Sequence, residues 1–139
     1  MSFEIQSFDH TADKGMIVRA GRLEELFAGA AVGMFATMYD LDGLAPDRER
    51  SVSVTGSDRE SLLVAWLQEL IFLFEVEDEI YINASIQALT DTSLQALVRG
   101  RALGPDVRQI GAAVKAVTYH GLSLRQASDG WEATLLFDV

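Results

Sequence analysis

Two short polar segments and an acidic C-terminal strand carry the residues of this chain that could do chemistry. Residues 9–15 read DHTADKG, residues 115–120 read KAVTYH, and the last three residues read FDV. The side chains of Asp13 and Asp138 and the terminal carboxylate of Val139 are hard oxygen donors of the kind that Ca²⁺ or Mg²⁺ takes. Two carboxylates in adjacent residues also repel each other, and a bound cation would relieve that repulsion.

Residue types alone leave simpler interpretations of these segments open. Asp9 and Asp13 are four residues apart with His10 between them, and Asp and Thr side chains in such a segment commonly bond nearby backbone amides in a turn. A lone histidine such as His120, at a predicted strand end, is more typical of a hydrogen-bonded structural residue than of a catalyst. The C-terminal strand itself reads equally as an ordinary strand with a solvated end.

An enzymatic site is not indicated by the sequence. The chain has no Gly-Xaa-Ser-Xaa-Gly elbow, no phosphate loop and no cysteine, so the usual nucleophile and nucleotide motifs are absent. Two histidines are too few for a His-rich zinc site. A small metal-dependent hydrolase stays open as an alternative, but it would need an acid or base, and His10 and His120 are the obvious candidates.

Length and charge limit the remaining classes. With 139 residues, of which 49% are hydrophobic, we predict one domain, residues 1–139, with one core. No apolar run approaches the roughly 18 residues of a membrane span and no signal peptide is evident, so we expect a cytoplasmic protein without a membrane partner. The 11 basic residues face 21 acidic ones, for a net charge of −10. That balance disfavours direct nucleic-acid binding and suits a basic protein partner, although acidity also simply favours solubility.

Hydrophobic periodicity predicts two amphipathic helices among a larger number of strands. The first covers Leu23–Met38, and the second covers Leu62–Phe74 after a capping box in which Ser57 caps and Glu60 reaches back. Predicted strands are Phe3–Phe8, Met16–Ala20, Arg50–Gly56, Ile80–Leu89, Ser93–Leu103, Val114–Tyr119, Leu122–Ala127 and Trp131–Val139.

The order of these elements predicts an α+β fold: a mixed, mostly antiparallel sheet with two amphipathic helices packed on one face. Asp129-Gly130 predicts a hairpin, and alternation in Ile80–Leu89 predicts one face of Ile80, Ile82, Ala84, Ile86 and Ala88. The acidic run Glu75–Glu79 reads first as a solvated turn, with a docking patch for a basic partner as the alternative.

Taken together and in order, these motifs resemble the archease family over nearly the full chain. The resemblance rests on residues 9–15, 23–27, 58–71, 114–120 and 138–139. It implies a non-enzymatic accessory protein that activates the GTP-dependent tRNA-splicing RNA ligase. The protein would promote guanylylation of a ligase histidine and multiple turnover, as the ligase joins 2′,3′-cyclic-phosphate or 3′-phosphate RNA ends to 5′-hydroxyl ends. The alternative is a chaperone or specificity factor for a tRNA methyltransferase.

The resemblance also implies a divalent cation, Ca²⁺ first, with Mg²⁺ or Mn²⁺ as alternatives. Its implied ligands are Asp13, Asp138 and the terminal residue Val139. The residues that would support these ligands or contact the partner are His10, Asp9, Lys115 and His120. Two positions depart from the usual pattern of the family: Lys14 stands where an apolar residue is common, and Arg22 stands where a capping Ser or Thr is frequent.

Overall fold

Two helices and seven strands make up the fold in a computed structural model that describes residues 2–10 and 13–139. In chain order the elements are β1 Phe3–His10, β2 Asp13–Ala20, α1 Leu23–Met38, β3 Arg48–Thr55, α2 Arg59–Glu77, β4 Glu79–Leu89, β5 Ser93–Ala102, β6 Ala116–Ala127 and β7 Gly130–Asp138.

The strands form two antiparallel sheets. One sheet has the order β1-β2-β7-β6 and the other has the order β3-β5-β4, and the pairs within both are antiparallel. The predicted α+β class with mostly antiparallel pairing is therefore confirmed. The strands divide between two sheets, where the sequence predicted one.

Both helices contact strands of both sheets, so neither is confined to one face of a single sheet. Helix α1 contacts β1, β2 and β7 as well as β4, and α2 contacts β6 as well as β3, β4 and β5. Helix α1 is buried along most of its length, and small residues allow this close packing. A Cβ added at Gly29 would lie 2.6 Å from Phe3 Cγ, and one added at Gly33 would lie 2.7 Å from Ile5 Cδ1. A helix that is buried nearly all round needs no polar face. The sequence predicted an amphipathic helix with one apolar stripe, and the burial of α1 is more extensive than that.

The core joins the helices to both sheets through large side chains. Trp66 of α2 is fully buried and its Nε1 donates a hydrogen bond to the Phe27 carbonyl of α1 at 2.9 Å. Phe35 of α1 makes edge-on ring contacts with Tyr81 of β4 and Phe74 of α2, with centroid distances of 5.5 and 5.9 Å. No helix in the described part of the chain is long and apolar enough to cross a membrane.

The N-cap of helix α2 lies one residue after the predicted one. Asp58 is the N-cap, and its carboxylate accepts a hydrogen bond from the Ser61 backbone N–H at 2.8 Å. Ser57 was predicted to be the cap, but its hydroxyl instead lies 3.2 Å from the Ser61 hydroxyl. The hydrogen bond from Ser61 lowers the pKa of the Asp58 carboxyl, as expected for a carboxylate at a helix N-terminus.

Extra residues interrupt the ladders of β4 and β6. The pairing of β4 shifts between Tyr81 and Asn83, so Tyr81 is buried where the predicted alternation placed Ile82. In β6 the shift lies between Thr118 and Ser123. The two strands predicted on either side of this break are therefore one bulged strand.

Candidate functional site

Strand pairing brings the two predicted acidic ligands together at one end of the four-stranded sheet. Asp13, the first residue of β2, is the cross-strand partner of Asp138, the last residue of β7. We call the cross-strand pair Asp13 and Asp138 the acidic row. It continues on both sides, because the backbone of His10 in β1 pairs with Asp13 and Ala116 in β6 pairs with Asp138. Residues 125 positions apart in sequence thus meet in one row, and Val139 follows directly.

Cross-strand partners share one face of the sheet, with Cβ atoms about 5 Å apart. The residue directly across the ladder from Asp13 is therefore a second carboxylate, and like charges in this position destabilise a sheet. Carboxylate oxygens suit a hard divalent cation, so the donor chemistry of the row fits one. Among the described residues, however, no group of three or more His, Cys, Asp or Glu side chains could hold a metal ion. Further oxygens would have to come from the Val139 carboxylate or from water.

Lys115 is fixed beside this row by its own backbone. Its N–H donates a hydrogen bond to the carbonyl oxygen of Asp138 at 2.8 Å, and the residue is exposed. Two residues later, the Val117 N–H donates to the Gln68 side-chain oxygen of α2 at 2.7 Å. β6 is an edge strand, so this contact satisfies a backbone donor that has no neighbouring strand.

The C-terminal end of α1 holds the start of β2 in place. Lys14 Nζ donates a hydrogen bond to the Thr37 carbonyl at 3.1 Å, where a cation is favoured by the helix dipole. The Met38 carbonyl accepts hydrogen bonds from the backbone N–H groups of Ile110 and Gly111 at 2.8 and 3.2 Å. A Cβ at Gly111 would lie 2.3 Å from the Thr37 carbonyl oxygen, so this close approach requires glycine. Lys14 therefore serves the fold, and its ammonium is directed to the helix.

Gly15 allows an aromatic ring to cross β2 close to the acidic row. Gly15 is the cross-strand partner of Phe8, and an added Cβ would lie 2.2 Å from the ring atoms of Phe8. The sequence suggested that Gly15 lets the chain bend, but the residue lies within a regular strand. Its role is to leave room for Phe8.

The remaining predicted residues lie near the row or apart from it. Asp9 is exposed and pairs with Lys14 in the neighbouring row. The predicted turn through Thr11 and Ala12 lies outside the described residues. His120 is not in the row: it follows Thr118, the partner of Leu136, within the bulge of β6, and its N–H donates to the Thr118 hydroxyl at 2.8 Å.

Comparison with known proteins shows the family to which this chain belongs. The model of the Archease protein family matches residues 5–139. The archease of Methanosarcina mazei is 34% identical over 135 residues, covering 94% of this chain and 92% of the relative. The chain belongs to the archease family.

Solved structures agree with this assignment. The solution structure of Methanobacterium thermoautotrophicum protein 1598 is 31% identical, with a TM-score of 0.79 over 99% of this chain and 98% of the other. The crystal structure of a Thermotoga maritima archease, described as a possible chaperone, is 20% identical, with a TM-score of 0.67 over 96% of both chains. At that identity the second likeness shows the archease fold alone.

A second polar cluster in this archease escaped prediction from sequence. Glu79 was counted in an acidic solvated turn, yet its side chain is fully buried. Its carboxylate accepts hydrogen bonds from Arg50 Nε at 2.5 Å, Arg48 Nη1 at 3.1 Å and the Tyr81 hydroxyl at 2.5 Å. The two arginines alternate along β3 and reach Glu79 across β5. Their spacing, Arg-Glu-Arg, was the available signal, because it places both guanidinium groups on one face of a strand.

Hydrogen bonding governs the protonation of this cluster. Burial alone would raise the pKa of Glu79, but hydrogen bonds from Arg50, Tyr81 and Arg48 outweigh it and lower that pKa to about 2. Burial and the neighbouring Glu79 carboxylate raise the pKa of the Tyr81 hydroxyl. Glu79 is thus a carboxylate that the fold keeps charged and already satisfies.

Proposed function

We propose that this chain is a non-enzymatic accessory protein of the GTP-dependent tRNA-splicing RNA ligase. In this proposal it promotes guanylylation of the ligase histidine and lets the ligase turn over repeatedly. The observation that carries the proposal is the match to the archease family over residues 5–139, because the activator role is what the resemblance of this chain's motifs to that family implies. The tRNA methyltransferase factor stays as the alternative outcome of the experiment below.

The proposal includes a divalent cation held by Asp13, Asp138 and the carboxylate of Val139. Ca²⁺ is the first candidate, with Mg²⁺ and Mn²⁺ as alternatives. The support is the cross-strand pairing of Asp13 with Asp138, which places two like charges where a cation would lower their repulsion. When bound, the cation would supply positive charge at this end of the sheet. Because Asp138 is flanked by β2 on one side and β6 on the other, its backbone is fixed before a ligand arrives.

The charge distribution supports a protein partner over bare RNA. Within the described residues, eight of the eleven lysine and arginine side chains form ion pairs with carboxylates. Phosphate binding draws its affinity from basic groups that are available to neutralise phosphates. A surface whose basic groups are mostly paired favours recognition of another protein, so no direct nucleic-acid binding is proposed.

The test is multiple-turnover ligation by the ligase of the same organism, with GTP and Mn²⁺, with and without this protein. We expect strong stimulation by the wild-type chain, loss of stimulation with Asp13→Asn, and full stimulation with Asp42→Asn. Asp42 is an exposed loop carboxylate far from β2 in sequence, so it controls for the loss of one negative charge. If the wild-type chain does not stimulate an active ligase, the proposal is contradicted. The corresponding test would then measure tRNA methylation by a methyltransferase with and without this protein.

A further inference from the structure

Helix α2 carries an exposed apolar pair on its outward side. Phe72 is 55% exposed and Val76 is 57% exposed, and a spacing of four residues places them on one face, a turn apart. Glu69 and Glu75 each lie three residues from Phe72 and so border the same face. We call Glu69, Phe72, Glu75 and Val76 the α2 stripe.

The carboxylates of the α2 stripe are unfavourably placed towards the C-terminal end of the helix. The last turn of α2 contains no basic residue, although a helix C-terminus favours cations and disfavours carboxylates. The two nearby arginines already form ion pairs. Arg50 pairs with Glu77 at 3.3 Å, and both Arg48 and Arg50 pair with Glu79. Within the described part of the chain, Glu69, Glu75 and Asp78 form no ion pair. A positive group from outside would therefore lower the electrostatic energy of this surface.

The α2 stripe lies next to the part of β6 that leads into the acidic row. Ser57–Glu60 at the start of α2 line one groove with Leu124 of β6, and Gln68 further along α2 binds Val117. The two elements therefore run antiparallel. Phe72 lies one turn beyond Gln68, about 6 Å along the helix axis. Lys115 lies two residues before Val117, about 6.6 Å along the strand and in the same direction.

We propose that the α2 stripe docks a basic amphipathic segment of the partner protein. Its apolar side chains would cover Phe72 and Val76, and its Lys or Arg side chains would meet Glu69, Glu75 and Asp78. A second copy of this chain is a poorer occupant, because it carries the same acidic stripe and a net charge of −10. The inference rests on the proposed function only in taking the partner to be a protein.

The first test does not need the ligase. The ¹⁵N-labelled full chain is titrated with a synthetic helical peptide that has Lys on one face and Leu on the other, and with a Glu/Leu peptide of the same pattern. We expect amide shifts confined to residues 68–78 and the start of β6 with the Lys/Leu peptide, weakened by salt, and no binding of the Glu/Leu peptide. Shifts spread over other surfaces would overturn the inference.

Variants of the stripe make this test specific. Phe72→Gln and Glu75→Lys should each weaken peptide binding at least tenfold, whereas Asp42→Lys, an equal charge reversal on an exposed loop, should leave it unchanged. The replaced side chains are exposed, so far-UV circular dichroism should match the wild type. Self-association of the wild-type chain that is lost with Phe72→Gln, measured by sedimentation, would identify a second copy as the occupant and overturn the proposal.

The second test separates this inference from the proposed function. With the full ligase as the binding partner, Phe72→Gln and Glu75→Lys should lower affinity at least tenfold while Tb³⁺ luminescence at the acidic row stays unchanged. Stimulation and binding equal to the wild type would overturn the docking surface and leave the activator role intact. If the chain binds the peptide at the α2 stripe but does not bind the ligase, the docking surface stands and the activator role is overturned.

Discussion

The two acidic clusters at the ends of the two sheets show opposite electrostatic designs. Glu79, at the start of β4, is fully buried and receives hydrogen bonds from two arginines and a tyrosine. Asp13, at the start of β2, lies directly opposite Asp138, so the neighbour across its ladder carries the same charge. Both clusters use a carboxylate at a strand terminus, and they differ in what the adjacent strands supply.

This contrast separates a carboxylate that stabilises the fold from a pair of carboxylates that the proposed cation would neutralise. A buried carboxylate that is fully hydrogen-bonded holds the fold together, and removing it leaves charged partners uncompensated. Two carboxylates held face to face cost free energy in the folded protein, and a ligand that neutralises them recovers that cost. Four substitutions or changes of condition test this contrast.

The largest expected effect is the loss of stability in Glu79→Gln. The amide keeps the size of the side chain but removes the buried negative charge that Arg48 and Arg50 share, and each arginine then pairs with one exposed carboxylate. We expect a decrease of about 3 kcal/mol in the free energy of unfolding, measured by urea denaturation. The matched control is Glu49→Gln on the exposed face of β3, whose ion pair with Arg99 is solvated; its loss should cost about 0.5 kcal/mol or less. Equal effects of the two variants would contradict the contrast.

The same carboxylate should govern stability in acid. The pKa of Glu79 is lowered from 4.5 to about 2 in the folded protein, so between these values the unfolded chain binds more protons. Stability should therefore be fully present above pH 4.5 and fall as the pH drops towards 2, by up to about 3 kcal/mol from this group. Denaturant midpoints across this range should drop less steeply for Glu79→Gln than for the wild type. Parallel curves would assign the acid sensitivity to other groups.

The acidic row should respond in the opposite sense. Asp138→Asn removes a like charge across the ladder from Asp13, so the metal-free protein should gain about 0.5 kcal/mol of stability. At a Ca²⁺ concentration a hundredfold above its dissociation constant, the wild type should be stabilised by about 2.7 kcal/mol, and the variant should lose this increment. Unfolding with Ca²⁺ or with EDTA measures both. A metal-free variant less stable than the wild type would show that Asp138 is structural.

The acidic row was predictable from sequence and the Glu79 cluster was not, for physical reasons. The resemblance to the family grouped acidic residues from the two ends of the chain, and antiparallel pairing of β2 with β7 brings them into one register. Glu79 instead sits in a run of acidic residues that local pattern reads as solvated. Only the long-range order β3-β5-β4 places Arg48 and Arg50 beside it, and a single sequence does not specify that order.

The helices show the same limit. Their existence and the bounds of α1 followed from hydrophobic spacing, and Arg22 indeed gives α1 no side-chain cap. Helix α2 was predicted as Leu62–Phe74, but it starts three residues earlier and continues for three residues into the acidic run that was predicted to be a turn. Hydrophobic spacing did not reveal that α1 contacts both sheets, because small residues such as Gly29 and Gly33 carry little hydrophobic signal. Lys14 was likewise interpreted from its neighbour Asp13, whereas its contact is with Thr37, 23 residues away.

Lys14→Met gives the smallest effect on cation binding and checks directly whether the two faces of β2 are independent. The ammonium binds the Thr37 carbonyl at the end of α1, so its loss should lower stability by about 1 kcal/mol. Successive side chains on a strand point to opposite faces, so the positive charge of Lys14 lies on the face away from Asp13. Cation affinity, measured by calorimetry with Ca²⁺, should therefore rise by no more than about threefold. A tenfold rise would mean that Lys14 suppresses cation binding directly, and the helix face and the acidic face of β2 would then be one electrostatic unit.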